Sequence, residues 1–379
     1  MDHAASADWH DTIIIGGGQA GLATAHALAI RGLSFVILDA GERIGDSWRM
    51  RWDSLRLFTP APYDSLPGLS FPAPRHTYPT KDEVADYLET YAATFDLPVR
   101  AGVRVDAVLK EDDEYVVIAG ERRLKTRNVV VATGACHTPR IPRFAEELDP
   151  GILQLHSSDY RRPSQLRQGG VLVVGAGNSG AEIALEAADR HSTWLSGRDT
   201  GQEPAAAGTV ADRLLTPIMW FMASRVLSVR NPIGRKARDH FLDPPRGIPL
   251  GRVRRKDITA AGIERVPRTA GVRNGYPVLE DGRVLEVANV IWCTGFTSGF
   301  SWIELPVFAE NGYPIHERGV VKSQPGLYFM GLLFLDTLSS ALVGGVGRDA
   351  DHIASQIEFH RSVAGQDRAS EPESHVRNR

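Results

Sequence analysis

Cysteine is nearly absent: the 379-residue chain has two, Cys136 and Cys293, far apart in sequence. No disulfide framework can be built from them, and no C-x-x-C dithiol is present. A reducing, cytoplasmic setting is the expectation. No apolar run reaches the roughly 18 residues that a membrane span requires. The polar start MDHAASADWHD has no signal core. Neither sign of charge dominates, since 43 Lys and Arg against 46 Asp and Glu leave a net charge of −3. That balance argues against general nucleic-acid binding. No Ser-His-Asp set, metal-ligand cluster or carboxylate pair is legible either, so chemistry carried by side chains alone finds no support.

Glycine is what the chain has in quantity, with 37 residues. Two stretches, TIIIGGGQAGLATA (12–25) and VLVVGAGNSGAEIA (171–184), place G-x-G-x-x-G between a buried strand and a helix. The first glycine allows the tight turn and the second lets a pyrophosphate approach the backbone. The third lets the helix pack closely on the strand, its N-terminal dipole facing the phosphates. Periodicity places strands at 12–15, 34–38, 171–174 and 193–195, and helices at 20–31 and 179–190. Continuous apolar strands alternating with helices imply parallel sheets covered on both faces. Hairpins leading into a buried strand are read at 97–134 and again at 276–295, and the first module resumes near 326–332. The ends, about 1–10 and 364–379, read as loose tails.

The expected fold is therefore α/β, with two Rossmann-like, three-layer dinucleotide-binding domains, the second inserted into the first. The boundaries are 1–160 plus 296–379 for one domain and 161–295 for the other.

The two turns differ at one diagnostic place. Eighteen residues beyond Gly21 stands Asp39, at the end of the next strand, where a carboxylate can accept bonds from an unphosphorylated ribose. Eighteen residues beyond Gly180 stands Arg198, preceded by Ser196 and Gly197. A guanidinium there suits a ribose 2′-phosphate, and a serine hydroxyl adds a donor. The first turn (Gly16, Gly18, Gln19, Ala20, Gly21) is thus assigned to FAD. The second (Gly175, Gly177, Asn178, Ser179, Gly180) is assigned to NADPH.

With these motifs on the page, the chain resembles the class B flavin-dependent monooxygenases, the flavin-containing, YUCCA-like and CzcO-like enzymes. The specific pieces are residues 41–68, 77–92, 129–134, 175–180 and 345–354. The resemblance implies FAD in the first domain and NADPH in the second. It also implies a flavin hydroperoxide that oxygenates a small molecule at a nitrogen, sulfur or carbonyl-type centre. By similarity, Gly45, Trp48 and Arg51 lie against the flavin, Leu57 and Thr59 approach its ring, and Val105, Gly134, Gly331 and Leu342 complete the FAD site, with the closing contacts running on to Asp349. Thr294 and Gly295 complete the NADPH site. Thr59 and Asn178 are the candidate catalytic positioning groups.

Two departures stand out. The fingerprint F-x-G-x-x-x-H-x-x-x-(F/Y/W) keeps Gly151, His156 and Tyr160, but Asp149 replaces the aromatic and one residue is inserted. Tyr160 in place of Trp argues against lactone-forming chemistry, and His156 reads as a structural or hinge residue between domains. Asp39 stands where the family more often has Glu.

The alternative reading is an NADPH-dependent flavoprotein reductase or oxidase passing electrons to a quinone, ferredoxin or dioxygen. The expected partners are a small-molecule substrate and dioxygen, with no nucleic acid, no membrane span and no metal; a homo-oligomer is compatible with the sequence. Segments 60–75, 201–250 and 335–343 are expected to build the substrate pocket, with Trp220, Phe221, Phe334 and Leu338 as lining candidates. The basic run 225–256 reads as a solvated surface near the NADPH phosphates.

Overall fold

The computed structural model describes residues 8–134, 136, 138–242, 248–297 and 299–370, with side chains described as far as 362. Residues 1–7 and 371–379 of the expected tails, and 243–247 of the basic run, lie outside the described residues.

In chain order the first strands are β1 (Asp8–Ile15), β2 (Val36–Leu38), β3 (Val99–Arg100), β4 (Ala107–Glu111), β5 (Glu114–Ala119) and β6 (Arg122–Val131). Then come β7 (Thr138–Pro139), β8 (Leu153–His156), β9 (Val171–Val174), β10 (Thr193–Ser196), β11 (Glu264–Val266), β12 (Thr269–Arg273) and β13 (Tyr276–Leu279). The last are β14 (Asn289–Trp292), β15 (Phe296–Thr297) and β16 (Leu327–Phe329). The helices are α1 (Gln19–Ala29), α2 (Asp46–Arg49), α3 (Lys81–Thr94), α4 (Asn178–Ala188), α5 (Val210–Phe221), α6 (Pro232–Leu242), α7 (Arg255–Ala260) and α8 (Gly347–Ser370).

One sheet runs β3-β2-β1-β6-β5-β4, with β16 on the C-terminal half of β6. Its β3, β2, β1, β6 and β16 are parallel, and β5 and β4 form an antiparallel flap on the N-terminal half of β6. The other sheet, β11-β10-β9-β14-β8, is wholly parallel. The central strands are apolar and inaccessible, as strands covered on both faces must be. The expected two-domain α/β fold is present; sequence-read elements are displaced by at most two residues at their ends, except β1, which starts four residues earlier than expected.

Three expectations are corrected. Asp8, Trp9 and His10 pair with Leu124, Lys125 and Thr126, so the first tail ends before them. At the other end α8 extends to Ser370, past the expected limit of 364. The inserted domain also begins before residue 161, because β8 is an edge strand of its sheet beside β14. Ala145, Leu148 and Ile152 already pack with Leu172, Val174 and Trp292, and Tyr160 is buried in the same domain.

The crossings between domains are short and tied together. β7 leaves the first domain and β15 returns to it, and the two pair antiparallel. The Thr294 hydroxyl donates to the Arg140 carbonyl, and the Arg140 N–H donates to the Gly295 carbonyl. His156 adds to this knot. Its Nε2 lies 3.0 Å from the Gly295 carbonyl, which can only accept, so Nε2 carries the proton. Nδ1 accepts from the Ser158 N–H, and burial holds the imidazole below its ordinary pKa. Phe296 stands edge-on to the same ring at 4.9 Å. His156 is thus a neutral fastener beside the interdomain crossing, a structural role.

Glycine is obligatory at the helix–strand contacts. A Cβ at Gly21 would lie 1.9 Å from the Gly16 carbonyl oxygen, and one at Gly180 would lie 1.8 Å from that of Gly175. Gly21→Ala and Gly180→Ala must each push a helix off its strand, at a cost of roughly 1–3 kcal/mol or more. Each variant should melt below the parent in a thermal scan and retain less of its own dinucleotide, FAD for Gly21→Ala and NADP⁺ for Gly180→Ala.

Candidate functional site

The two turns are near copies. Gly16 and Gly175 have φ of 108° and 111°, a conformation that suits glycine alone. Each donates its N–H across to the end of the next strand, to Leu38 and Ser196 respectively, at 2.8 Å. Gly18 and Gly177 then start α1 and α4 with matching dihedrals, φ −78° and −79°. No side chain caps either helix, and a Cβ on either glycine would meet only open space. Uncapped N–H groups facing an open cradle are what a dinucleotide pyrophosphate requires.

Asp39 directly follows β2 with both carboxylate oxygens engaged, Oδ2 by the Gly17 N–H at 2.5 Å and Oδ1 by the Gly41 N–H at 2.8 Å. It therefore fixes the turn as well as facing it, and each oxygen keeps a lone pair for a ribose hydroxyl. Arg198 is exposed and forms no side-chain hydrogen bond or ion pair among the described residues, leaving its guanidinium available to a phosphate.

Several sequence-derived roles change. Ser196 is fully buried, and its hydroxyl donates to the Pro267 carbonyl and accepts from the Thr269 N–H. It joins β10 to the start of β12 and has no proton to offer a 2′-phosphate. Gly197 has φ 143° and sits against Ala176, keeping the strand end close to the turn. Asn178 is turned away from the cradle. Its Nδ2 donates to the Pro249 carbonyl at 3.1 Å and its Oδ1 accepts from the Gly251 N–H at 3.0 Å. It pins loop 248–251 to α4, a positioning role, while Ser179 follows half-buried on the first turn.

Gly45, at φ 90°, lies where a Cβ would strike the Ala85 backbone, so α2 packs on α3 through it. Arg51 lies over the Phe296 ring at 5.6 Å, on the interdomain crossing, and Thr294 and Gly295 belong to that same crossing. Val105 is half-buried against the first core. Gly134 and Gly331 both have positive φ, and Gly331 abuts Ala20 at the start of α1.

The remaining flavin-side residues do converge. A cavity of about 130 Å³ is lined by Gln19, Trp48, Leu57, Thr59 and Leu342, together with Asp64 and Glu182. Trp48 Nε1 donates to Gln19 Oε1 at 3.4 Å. Thr59 donates its hydroxyl proton to Asp64 Oδ1 at 2.5 Å. The two acids were not legible in the sequence as a pair. Asp64, after the turn Ala61–Tyr63, has no exposed surface, and its Oδ2 has no partner. Burial pushes its pKa up to about 8 against the lowering effect of Thr59. Glu182 comes from α4 of the other domain, is pushed up to about 7 by burial, and has Arg252 at 3.5 Å. The cavity therefore holds a neutral carboxylic acid, with an O–H to donate, at the junction of both domains.

Asp64 binds its proton more tightly folded than unfolded, so its contribution to stability is complete below about pH 4 and drains away as pH rises through 8. Asp64→Asn keeps the shape and removes the titration. The melting temperature of this variant relative to the parent should climb steadily from pH 5 to pH 8; parallel curves would contradict the assignment.

Comparison with known proteins agrees with this geometry. Residues 13–207 match the pyridine nucleotide-disulphide oxidoreductase family. A CzcO-like oxidoreductase from Geobacillus kaustophilus is 40% identical over 352 residues, covering 92% of this chain and 99% of its own. A YUCCA protein of Arabidopsis thaliana, named as a probable indole-3-pyruvate monooxygenase, is 30% identical and covers 84% of this chain and 81% of its own. The structure of a flavin-containing monooxygenase from Stenotrophomonas maltophilia superposes with a TM-score of 0.75 at 29% identity, over 93% of this chain and 99% of that one. The chain thus belongs to the pyridine nucleotide-disulphide oxidoreductase family, among its CzcO-like and YUCCA-like class B flavin-dependent monooxygenases.

Proposed function

We propose that this flavoprotein monooxygenase takes its electrons from NADPH and inserts one atom of dioxygen into a small molecule at a nitrogen, sulfur or carbonyl centre. The observation that carries this reading is the small cavity where the domains meet, with Trp48, Leu57 and Asp64 from one and Glu182 from the other. A hydride passing between two dinucleotides needs such a meeting place, closed to water.

FAD and NADPH are the cofactors, and the two uncapped cradles fit them. The Gly16–Gly21 turn, Asp39, Gln19, Trp48, Leu57, Thr59 and Leu342 would hold FAD. The Gly175–Gly180 turn and Arg198 would hold NADPH. Bound FAD supplies the two-electron exchange with NADPH and the activation of dioxygen. The chain's own residues do the rest. Trp48, Trp52 and Leu57 give the cavity an apolar wall. The Thr59 hydroxyl donates to Asp64 Oδ1 and so fixes that carboxyl group at the cavity wall. Asn178 keeps loop 248–251 against the NADPH turn.

Turnover of the FAD-loaded enzyme under ¹⁸O₂ should give product carrying one labelled atom per NADPH consumed. Stoichiometric NADPH loss with no label in any product, and rapid electron transfer to added quinone or ferredoxin, would establish the reductase reading instead. Removing the exposed guanidinium tests the choice of nucleotide. Arg198→Ala should raise KM for NADPH by about tenfold or more, the worth of a charge-assisted phosphate contact, while that for NADH stays put. Equal effects on both would remove Arg198 from the 2′-phosphate site.

A further inference from the structure

A helix on a protein's surface ordinarily turns its apolar side inward; α5 does the reverse. Its start is well made, with the Thr209 side chain accepting from the Asp212 N–H. Val210, Leu214, Pro217, Ile218, Phe221 and Met222 recur every three or four residues, which sets them in one stripe along the helix. All six are exposed, Val210, Leu214, Ile218 and Phe221 by 71%, 69%, 59% and 58%. No residue of α5 is buried. The polar bonds lie on the other side. Asp212 accepts from the Tyr78 hydroxyl, the Gly208 N–H and the Thr216 hydroxyl. Trp220, next in the same row, meets the Tyr63 ring at 5.2 Å. Downstream, Ser228 and Arg230 both donate to Asp336. The helix is thus fastened to the first domain by its polar side, and its apolar stripe is left outward. A continuous exposed apolar face of this kind marks a contact surface.

The stripe borders a cavity of about 490 Å³ between α5 and the start of α8. The segments expected to build a substrate pocket meet there through Ser65, Trp220 and Ser339, and Phe221 lines it as expected. Phe334 is instead buried against Phe241, and Leu338 does not reach the cavity. Pro217 and Phe221 belong both to this cavity and to the stripe. The charge around them has one sign. Arg213 lies within the stripe, and Arg225 follows it in the turn Met222–Val226. Arg225 and the exposed Arg348 both line the cavity, which no acid lines. Arg348 is held there by donating to the Ser224 carbonyl. None of the three arginines has an ion-pair partner among the described residues, and no acidic side chain is exposed from Val210 to Arg238. The exposed Arg235 and Lys236 of α6 extend the same charge.

We propose that α5 docks this protein on the surface of an anionic lipid bilayer, with the stripe among the headgroups and upper acyl chains and Arg213, Arg225 and Arg348 against lipid phosphates. Charge complementarity selects this occupant. A second copy related by a two-fold axis would bring the same bases to both sides of the contact, with no exposed acid to answer them. The binding is to the surface, since no helix among the described residues is long and apolar enough to cross a membrane. Docking would also bring the larger cavity to the lipid, because Pro217, Phe221 and Arg225 are shared. The inference does not depend on the reaction proposed above.

The test floats the FAD-loaded full chain with two kinds of vesicle, phosphatidylcholine alone and phosphatidylcholine with about one third phosphatidylglycerol. The protein should bind the anionic vesicles about tenfold more tightly or better, and added salt should weaken that binding. The double variant Leu214→Gln with Ile218→Gln removes two apolar side chains from the stripe and should lower the partition coefficient by about tenfold or more. Arg213→Gln should lower it by about fivefold, on anionic vesicles alone. All three residues are exposed, so FAD content and melting temperature should match the parent and separate lost docking from lost folding. The inference falls if the parent binds no anionic vesicles, if it binds both kinds alike, or if the double variant floats as the parent does. It falls also if ultracentrifugation without vesicles shows a dimer that the double variant splits, which would give the stripe to a second copy. Each of these failures leaves the ¹⁸O₂ result untouched, so the two readings stand or fall separately.

Discussion

Everything in this molecule is hung on two places where a helix touches a strand without a side chain between them. At Gly21 against Gly16, and again at Gly180 against Gly175, backbone meets backbone. That contact aims the uncapped starts of α1 and α4 at open cradles, with Gly18 and Gly177 keeping those cradles clear. Dipole, N–H groups and empty space are thus products of one steric condition. The strand ends that follow differ in charge, with acidic Asp39 after one turn and basic Arg198 after the other.

The second constraint is the knot between the domains. α4 carries Glu182 into a cavity otherwise built by the first domain, so the position of the inserted domain decides whether that cavity is complete. β7 and β15 bind the two crossings to each other, and Phe296 of β15 is met edge-on by His156 and covered by Arg51. The neutral imidazole matters here, because a second proton on His156 would have to displace the Ser158 N–H that Nδ1 accepts from.

What was legible in the sequence was whatever depends on near neighbours. Strand, turn and helix in each copy follow from apolar runs and glycine spacing, and the contrast of Asp39 with Arg198 is a matter of counting. What was not legible depends on distant chain. Asn178 sits beside the turn in sequence, yet loop 248–251 claims its amide. Ser196 ends the right strand, but the start of β12 occupies its hydroxyl. Gly45 lies within a flavin-like motif and is required by the backbone of α3. Asp64 and Glu182 are lone acids 118 positions apart, and only the docking of two domains buries both at one cavity. The boundary of the insert was set too late for the same reason, since β8 joins its sheet through β14, which lies far downstream.

The pairing of β7 with β15 has a modular meaning as well. Adjacent strands lie about 4.8 Å apart, so the inserted domain enters and leaves its host at nearly one point. The host sheet closes without it, because β16 docks on β6 in register from Val129 to Val131, whatever lies between. To the first domain the whole nicotinamide half is, topologically, a long loop. Such a loop can be exchanged for another of different specificity with little disturbance to the flavin half, which makes it a natural unit for recombination between related enzymes.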